Sequence, residues 1–525
     1  MQNFFQSRLN QRLQKLGEIG WNASTGMDAT ECSPANKAAR EQVMAWMKED
    51  GLRITVDLTG NIIGIWSEGC PEGEAPVIIG SHIDTVPAGG KYDGRYGVLA
   101  GLEVVTKLKE RKTVLNRPVV VAAWTGEESA YFQPSMPGSR ATVNREKTEE
   151  ILDECKSIGG PCKDMTLREA LTNIEALGEI LPGFFLEGID LTGVNYIELH
   201  IEQGKRLERE EKSFAVVSDI YGASQSTLII KAKDDFSNVA EALVALTCAV
   251  NDRVYNDSIE RGTVGSIVTT KTTSAAPKKG YEINFGGERD HAGGRPMPGR
   301  HDAAYAAASL AKRLGQSIVV ENLTIPGGFI NAVPDNAILT VTAPEFIETI
   351  AAWKADLETT AGLLAEERGV TFEIREATIT QKVTEATLTT DKRHIKSAAL
   401  KASEIALENN IKAVSVKYGV SINLIQGTRE EPVQFDEGMI TLLKKSAEKH
   451  PDIKLQGDGK VPIMQSGPFH DAMHFGRVMP SVMCFVPSIN GISHHKDEFT
   501  HPKDLDIGVD VLTDAVHQLI SGKTL

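Results

Sequence analysis

Short apolar runs alternate with amphipathic stretches along the first third of the chain. Apolar residues recurring every three or four positions predict helices over residues 3–17 and 35–50. RITVDL, NIIGIW and PVIIGSHID then read as strands, GVLAGLEVVTKLKE as a helix and RPVVVAAWT as a strand. Continuous apolar strands set between amphipathic helices predict an α/β fold with a mostly parallel, helix-covered sheet. The same style returns near the C-terminus, with MITLLKKSAEK as a helix, PSVMCFVPS as a strand and DIGVDVLTDAVHQLISG as a closing helix.

The middle, about 213–427, has a different rhythm and repeats itself. STLIIKAKDD, NVAEALVALTCAVNDRV and GTVGSIVTT read as strand, helix, strand. YEINFGGERD, HDAAYAAASLAKRLGQS and GGFINAV restart that order. NAILTV, FIETIAAWKADLETTAGLLAEERG and VTFEIREA give a second trio, which ATLTTDKR, HIKSAALKASEIALENNIKAVSVKYG and VSINLIQ repeat. The simplest parse is one βαββαβ module with a second copy inserted in its middle. The outer copy is then 213–275 plus 384–427, the inner copy 280–377, and the flanking α/β domain 1–212 plus 428–525.

Composition narrows the function classes. The 525 residues include 56 basic and 71 acidic ones, a net charge of -15, which argues against nucleic acid or an anionic membrane as partner. MQNFFQSRLNQRLQKL lacks the apolar core of a secretory signal, and no apolar stretch is long enough to span a bilayer. A cytoplasmic location is expected. The six cysteines are scattered, with no zinc-knuckle spacing, and are expected to be reduced thiols outside the chemistry.

Metal-ligand residues cluster at strand ends and turns. GSHIDTVPAGGKYDG offers His82 after an apolar strand, Asp84 two residues on to orient that imidazole, and Asp93 in a Gly-rich turn. VVVAAWTGEESAYF ends in Glu127 and Glu128, whose side chains point opposite ways, so that one can bind a metal while the other faces substrate. YIELHIEQG offers His200, GISHHKDEF offers His494 and His495, and DHAGGRPMPGRHDA offers His291. Each alone is more often a packed or surface residue. Together, abutting apolar strands of one α/β chain, they suit a pair of borderline divalent ions such as Zn, Mn or Co. Paired ions can polarise a carbonyl and activate water.

In this light GSHIDTVPAGGKYDG, TGEES, ELHIEQG, HAG, NAVP, HDAM and FVPSINGISHHKDE, in that order, resemble the hydantoinase/carbamoylase amidases. That family comprises N-carbamoyl-L-amino acid hydrolases, allantoate amidohydrolases and β-ureidopropionases, within the aminoacylase/carboxypeptidase metallopeptidase superfamily. The resemblance runs from about residue 8 to the C-terminus, apart from the extra module copy. It implies a phosphorylase/hydrolase-like catalytic domain and makes the inserted α+β module a lid. It implies His82, Asp93, Glu128, His200 and His494 as ligands of two divalent ions, Asp93 bridging them and Asp84 orienting His82. Glu127 is implied as the general base that takes a proton from water and returns it to the leaving nitrogen. His291 is implied as the oxyanion-stabilising histidine of the lid. Gln203, Asn331, Arg393 and His470 are implied as substrate contacts.

The implied reaction is hydrolysis of an N-carbamoyl or related ureido acid to amine, CO2 and ammonia; an N-acyl amino acid deacylase or dipeptidase with the same metals is the alternative. A metal-binding protein without activity is disfavoured by retention of Glu127 and the ligand set. Family members are typically dimers in which the lid histidine and an asparagine reach the neighbouring site. Here the inner copy holds His291 and Asn331 and the outer copy holds Arg393, so the inner copy is expected to mimic the partner's lid in a monomer, a homodimer being the alternative. Arg295 and Phe469 depart from the family pattern beside His291 and His470.

Overall fold

The structure, a computed structural model, describes residues 7–176, 190–234, 238–255, 261–288, 301–326, 333–345, 347 and 349–521. It divides into two compact units, Met1–Ile220 with Val433–Leu525, and Tyr221–Pro432. Among the described residues, no helix is long and apolar enough to cross a membrane. All six cysteines are free thiols.

The two helices predicted near the N-terminus form as Arg8–Leu16 and Pro34–Glu49. Ser7 and Ser33 cap them by accepting the amides of Asn10 and Asn36, and Pro34 stands where a missing N–H removes no helical bond. The first unit continues with strands β1 (Arg53–Val56), β2 (Ile62–Trp66), β3 (Val77–His82), β4 (Val119–Trp124), β5 (Asn195–Ile201) and β6 (Ala215–Ile220). The second unit contributes β7 (Gly222–Ala232), β8 (Arg261–Gly286), β9 (Val319–Thr324), β10 (Asn336–Thr342), β11 (Thr371–His394) and β12 (Val420–Glu430). The chain then returns to the first unit with β13 (Val433–Gln434), β14 (Ile463–Ser466) and β15 (Ser481–Val486).

The first unit's sheet has the order β13-β6-β15-β5-β3-β4-β2-β1, with β14 beside β6. Its centre, β15-β5-β3-β4, is parallel. Beyond it, β2 and β1 on one flank and β6 and β13 on the other pair antiparallel. The mostly parallel sheet expected from sequence is thus a mixed one, parallel at its centre and antiparallel at its flanks. Every residue of β3, β4, β5 and β15 is buried, which is why β4 and β15 and most of β3 read as apolar runs, whereas β5 carries Glu198 and His200 toward the site. Helices Arg95–Glu110 and Pro502–Ile520 supply much of the core on one face. On the other, Trp124, Tyr196 and Phe475 stack together, with the Tyr196 and Phe475 rings 4.1 Å apart. Because the four central strands run the same way, the loops after β3, β4, β5 and β15 leave from one edge, where open α/β sheets bind their ligands.

The second unit is one antiparallel sheet in the order β9-β10-β8-β11-β7-β12, sharing an apolar core with four helices. Two strands, β8 and β11, run its whole length and pair from Arg261–Arg393 to Gly286–Thr371, the register shifting between Val264 and Val268, between Lys271 and Thr272, and between Ser274 and Lys278. The last shift holds Pro277, a residue tolerated in a strand at such a bulge. Numbered by appearance within each half, the strands have the same spatial order, 2-3-1-4: β8-β11-β7-β12 in one, β9-β10-β8-β11 in the other. Among the described residues the second strand of the inner half is Val319–Thr324; the GGFINAV segment expected as a strand lies, but for Val333, outside the described residues. The sequence suggested separate strands at 262–270 and 281–290, and again at 370–377 and 386–393; each pair is one continuous strand.

One residue of this sheet defies its setting. Lys392 is 1% exposed, and its Nζ has no hydrogen-bond partner. Glu404, a nearby counter-charge, is engaged by Arg429 at 2.7 Å. Burial lowers the Lys392 ammonium to about 8, against the pull of Glu404, Asp391 and Glu408.

Candidate metal centre

Each loop at the carboxyl edge of the central strands delivers one part of a buried cluster. His82 is the last residue of β3 and His200 the last but one of β5. Glu127 and Glu128 follow β4, and His494 follows β15. Asp93 ends the turn before helix Arg95–Glu110. Gly94 is required there: its φ of +63° favours glycine, and a Cβ would run into the His82 ring. His494 has a φ of +56° and Gln203 one of +54°, a left-handed conformation uncommon for non-glycine residues.

The donors form two triads that share Asp93. His82, Asp93 and His200 make one, and Asp93, Glu128 and His494 the other; within each, the ligand atoms lie within 4.8 Å of one another. Asp93 Oδ1 is 3.5 Å from His82 Nε2 and 3.1 Å from His200 Nε2, while its Oδ2 is 3.6 Å from His494 Nε2. Glu128 Oε2 lies 3.1 Å from the same His494 nitrogen. One carboxylate thus faces both triads with different oxygens, as a bridging ligand must. His82 Nδ1 is 3.0 Å from the Asp84 carbonyl, and His200 Nδ1 2.9 Å from the Ile201 carbonyl. Those contacts direct both Nε2 atoms at the cluster. His82 Nε2 is buried and has no hydrogen-bond partner. An orphaned imidazole nitrogen within an N/O donor set fits a divalent cation.

The electrostatics agree. Burial pushes the Asp93 carboxyl up, but His200, His82 and His494 outweigh it and hold it well below its ordinary range. Burial pushes His494 down, yet Glu128 and Asp93 raise it to about 9. His82 is likewise raised, chiefly by Glu127 and Asp93 against its burial. This pocket concentrates negative charge that bound cations would neutralise. Burial, joined by Asp471, Glu128 and Glu198, pushes the Glu127 carboxyl well above its usual value despite His82. Glu127 Oε2 is 3.5 Å from His82 Nε2, and its Oε1 is 3.7 Å from His470 Nδ1. A buried carboxyl within reach of two histidines of the cluster is placed to transfer a proton.

Several expected residues take particular places. Asp84 holds His82 by its backbone carbonyl; its carboxylate is 3.9 Å from that ring and accepts the Glu128 amide at 3.2 Å. Gln203 donates to Asp93 Oδ2 at 2.7 Å. His470 is buried, lies against His200 with the rings 4.5 Å apart and tilted by 60°, and contacts Ser466 Oγ. Of the two adjacent histidines, His494 joins the centre, whereas His495 is half exposed beside Asp497. Arg393 lies in the second unit, buried, with Nε and Nη2 on Asp391. His291, Arg295 and Asn331 lie outside the described residues.

Sequence reasoning missed a supporting layer. Ser493 Oγ donates to Asp93 Oδ2, and Glu498 accepts the amides of Tyr92 and Asp93. Glu198 accepts from Ser81, Tyr196 and the Ala472 amide, and forms a third His/carboxylate group with His200 and His470. Its signal was present: it stands two residues before His200, on the same face of β5.

The family model described as Peptidase family M20/M25/M40 matches residues 78–518. The chain is 27% identical to an N-carbamoyl-L-amino acid amidohydrolase of Geobacillus stearothermophilus, over 98% of this chain and 99% of that protein. It is 26% identical to the allantoate amidohydrolase of Escherichia coli K12, over 98% of each. Among solved structures, a hydantoinase/carbamoylase family amidase from Burkholderia multivorans is similar with a TM-score of 0.61 and 25% identity, over 98% of both chains.

Proposed function

We propose that this chain, which belongs to peptidase family M20/M25/M40 and is a metal-dependent amidohydrolase of its hydantoinase/carbamoylase branch, hydrolyses an N-carbamoyl amino acid or a related ureido acid. The observation that carries the reading is Glu127, buried within reach of His82 and His470 beside two triads joined through Asp93. His82, Asp93 and His200 would hold one divalent ion and Asp93, Glu128 and His494 the other, with Zn, Mn or Co the candidates. When bound, the ions supply Lewis acidity toward the ureido carbonyl and lower the pKa of water.

The chain's own groups do the rest. Glu127 takes the proton of the attacking water and passes it to the nitrogen of the breaking C–N bond. Water adds to the ureido carbon and one C–N bond breaks: either the amine leaves and the carbamate left behind decomposes to CO2 and ammonia, or ammonia leaves and the N-carboxy amino acid decomposes to CO2 and the amine. Gln203 and Ser493 keep Asp93 in place. His470, beside Glu127, is positioned to contact the ureido group.

The finer part of the reading concerns the second unit. Its inner half stands in for a partner's lid, His291 and Asn331 coming from that half and Arg393 from the outer one. The identical 2-3-1-4 strand order of the two halves supports it. Sedimentation should find a monomer; an obligate dimer would remove the stand-in role.

The decisive assay reconstitutes metal-stripped protein with Zn, Mn or Co and screens N-carbamoyl amino acids, allantoate and ureidoglycolate for released ammonia. Ammonia is expected from at least one. Ammonia from none, with cleavage of N-acyl amino acids, would make the chain a deacylase.

A further inference from the structure

The loop from residue 125 to 136 carries both Glu127 and Glu128, and its only regular part is Phe132–Gln133, paired with Lys156–Ser157. Gly126, Ser129 and Met136 all have positive φ, so its shape depends on what its backbone amides find. A buried amide without a partner is costly, so each must be answered. Three side chains from distant segments answer them. Asn61 Oδ1 accepts the Thr125 amide at 2.9 Å, and Asp84 Oδ2 the Glu128 amide at 3.2 Å. Glu31 Oε1 accepts the amides of Tyr131 and Phe132 at 2.7 and 3.0 Å. Glu31 is 2% exposed, and its second oxygen is buried without a hydrogen-bond partner. The segment that bears it is tied to the other metal-binding loop as well. Ala29 donates its amide to Thr85 Oγ1 at 3.0 Å, and Thr85 donates its own to the Ala29 carbonyl at 3.2 Å.

We propose that Glu31 is a positioning residue of the metal centre: its carboxylate clamps the end of the loop that aims Glu127 and Glu128, and its segment braces that loop against the turn after His82. Burying a carboxylate against an apolar cluster has no packing benefit, since Phe132, Leu152 and Leu167 fill that cluster without it. Glu31 touches none of the donor atoms. It acts through the backbone, three residues after Glu128.

The inference rests on the reading of Glu127 and Glu128 as base and ligand, and the test separates the two. Full-length protein is stripped of metal and titrated with cobalt, following the visible absorption of the bound ion, in wild type, Glu31→Ala and Glu31→Gln. Wild type is expected to bind two equivalents. Glu31→Ala should weaken one of them by about 10–100-fold and lower kcat in similar proportion, with KM little changed, as loss of an outer support does. Glu31→Gln keeps an oxygen for the same two amides and should restore affinity, spectrum and kcat. If the alanine variant does not fold, Glu31→Met, which fills the space but accepts no hydrogen bond, takes its place. Unchanged cobalt binding and kcat in the alanine or methionine variant would overturn the assignment, as would a glutamine variant as impaired as they are. Wild type binding fewer than two ions would instead defeat the two-metal reading.

Discussion

Replacing Lys392 by methionine should stabilise the second unit, and the size of the gain follows from its burial. The folded state lowers this ammonium from 10.5 to about 8. A difference of that size corresponds to about 3 kcal/mol of preference for the neutral form, borne by the fold wherever the group must be charged. The sign follows from proton counts. Below pH 8 both folded and unfolded chains carry the proton, so the penalty is complete at pH 7. Between pH 8 and 10.5 the unfolded chain binds more protons than the folded one, so wild-type stability rises with pH in that window. Glu404 and Asp391 offset part of this cost, while Arg429, which pairs with Glu404, adds to it. Methionine matches the lysine stem in length and leaves no charge to solvate. Hydrogen exchange in peptides from β11 and helix Ser397–Lys417, measured from pH 7 to 10, reads the local opening energy. The variant should be more protected by about 2–3 kcal/mol at pH 7, and the advantage should shrink toward pH 10. A variant no more stable than wild type at pH 7, or an advantage independent of pH, would refute the reasoning.

Other outcomes can be checked directly. Glu127→Gln should lower kcat by about 10²–10⁴-fold with both metals retained, as measured by ammonia release beside elemental analysis; retained turnover would remove Glu127 as the base. Gly94→Ala, which drives a methyl into the His82 ring, should cost the His82–Asp93–His200 site its ion, visible as a drop in metal stoichiometry. Metal-stripped protein should lose thermal stability as pH rises. His494 is raised to about 9 in the fold, so the stability it contributes is complete below its unfolded value, near 6.5, and gone above 9. Reloading with zinc should flatten that pH dependence, and a flat profile without metal would contradict the electrostatic account.

What was legible in the sequence follows a physical divide. The ligands could be found because His82, Glu128 and His200 stand at or just beyond strand ends and Asp93 and His494 in the loops that follow such ends, and the parallel centre of the sheet gathers those ends at one edge. Spacing alone could not separate His494 from His495; the positive φ at residue 494 turns the first inward and leaves the second beside Asp497. Glu31 and Glu498 were invisible for another reason: their partners are backbone amides about 100 and 406 residues away, and amides carry no residue-type signal. In the second unit, the polar Thr-Ser-Ala-Ala-Pro stretch in the middle of β8 reads as a loop, so one long strand passed for two. Val319–Thr324 was overlooked because only some of its positions are apolar.

The two shared strands also bear on how such a chain could arise and be cut back. β8 and β11 are antiparallel neighbours, and at the Lys271–Glu385 pair the chain has just left the outer half and is just about to re-enter it. The whole inner half therefore occupies the position of a hairpin turn. Joining the two strands just beyond that pair by a tight connection would delete it without changing the outer half's register or strand order, just as an insertion at a turn is accommodated with little disturbance. The second unit is in that sense modular along a single seam, and a shortened chain with one four-stranded sheet is a realistic engineering target.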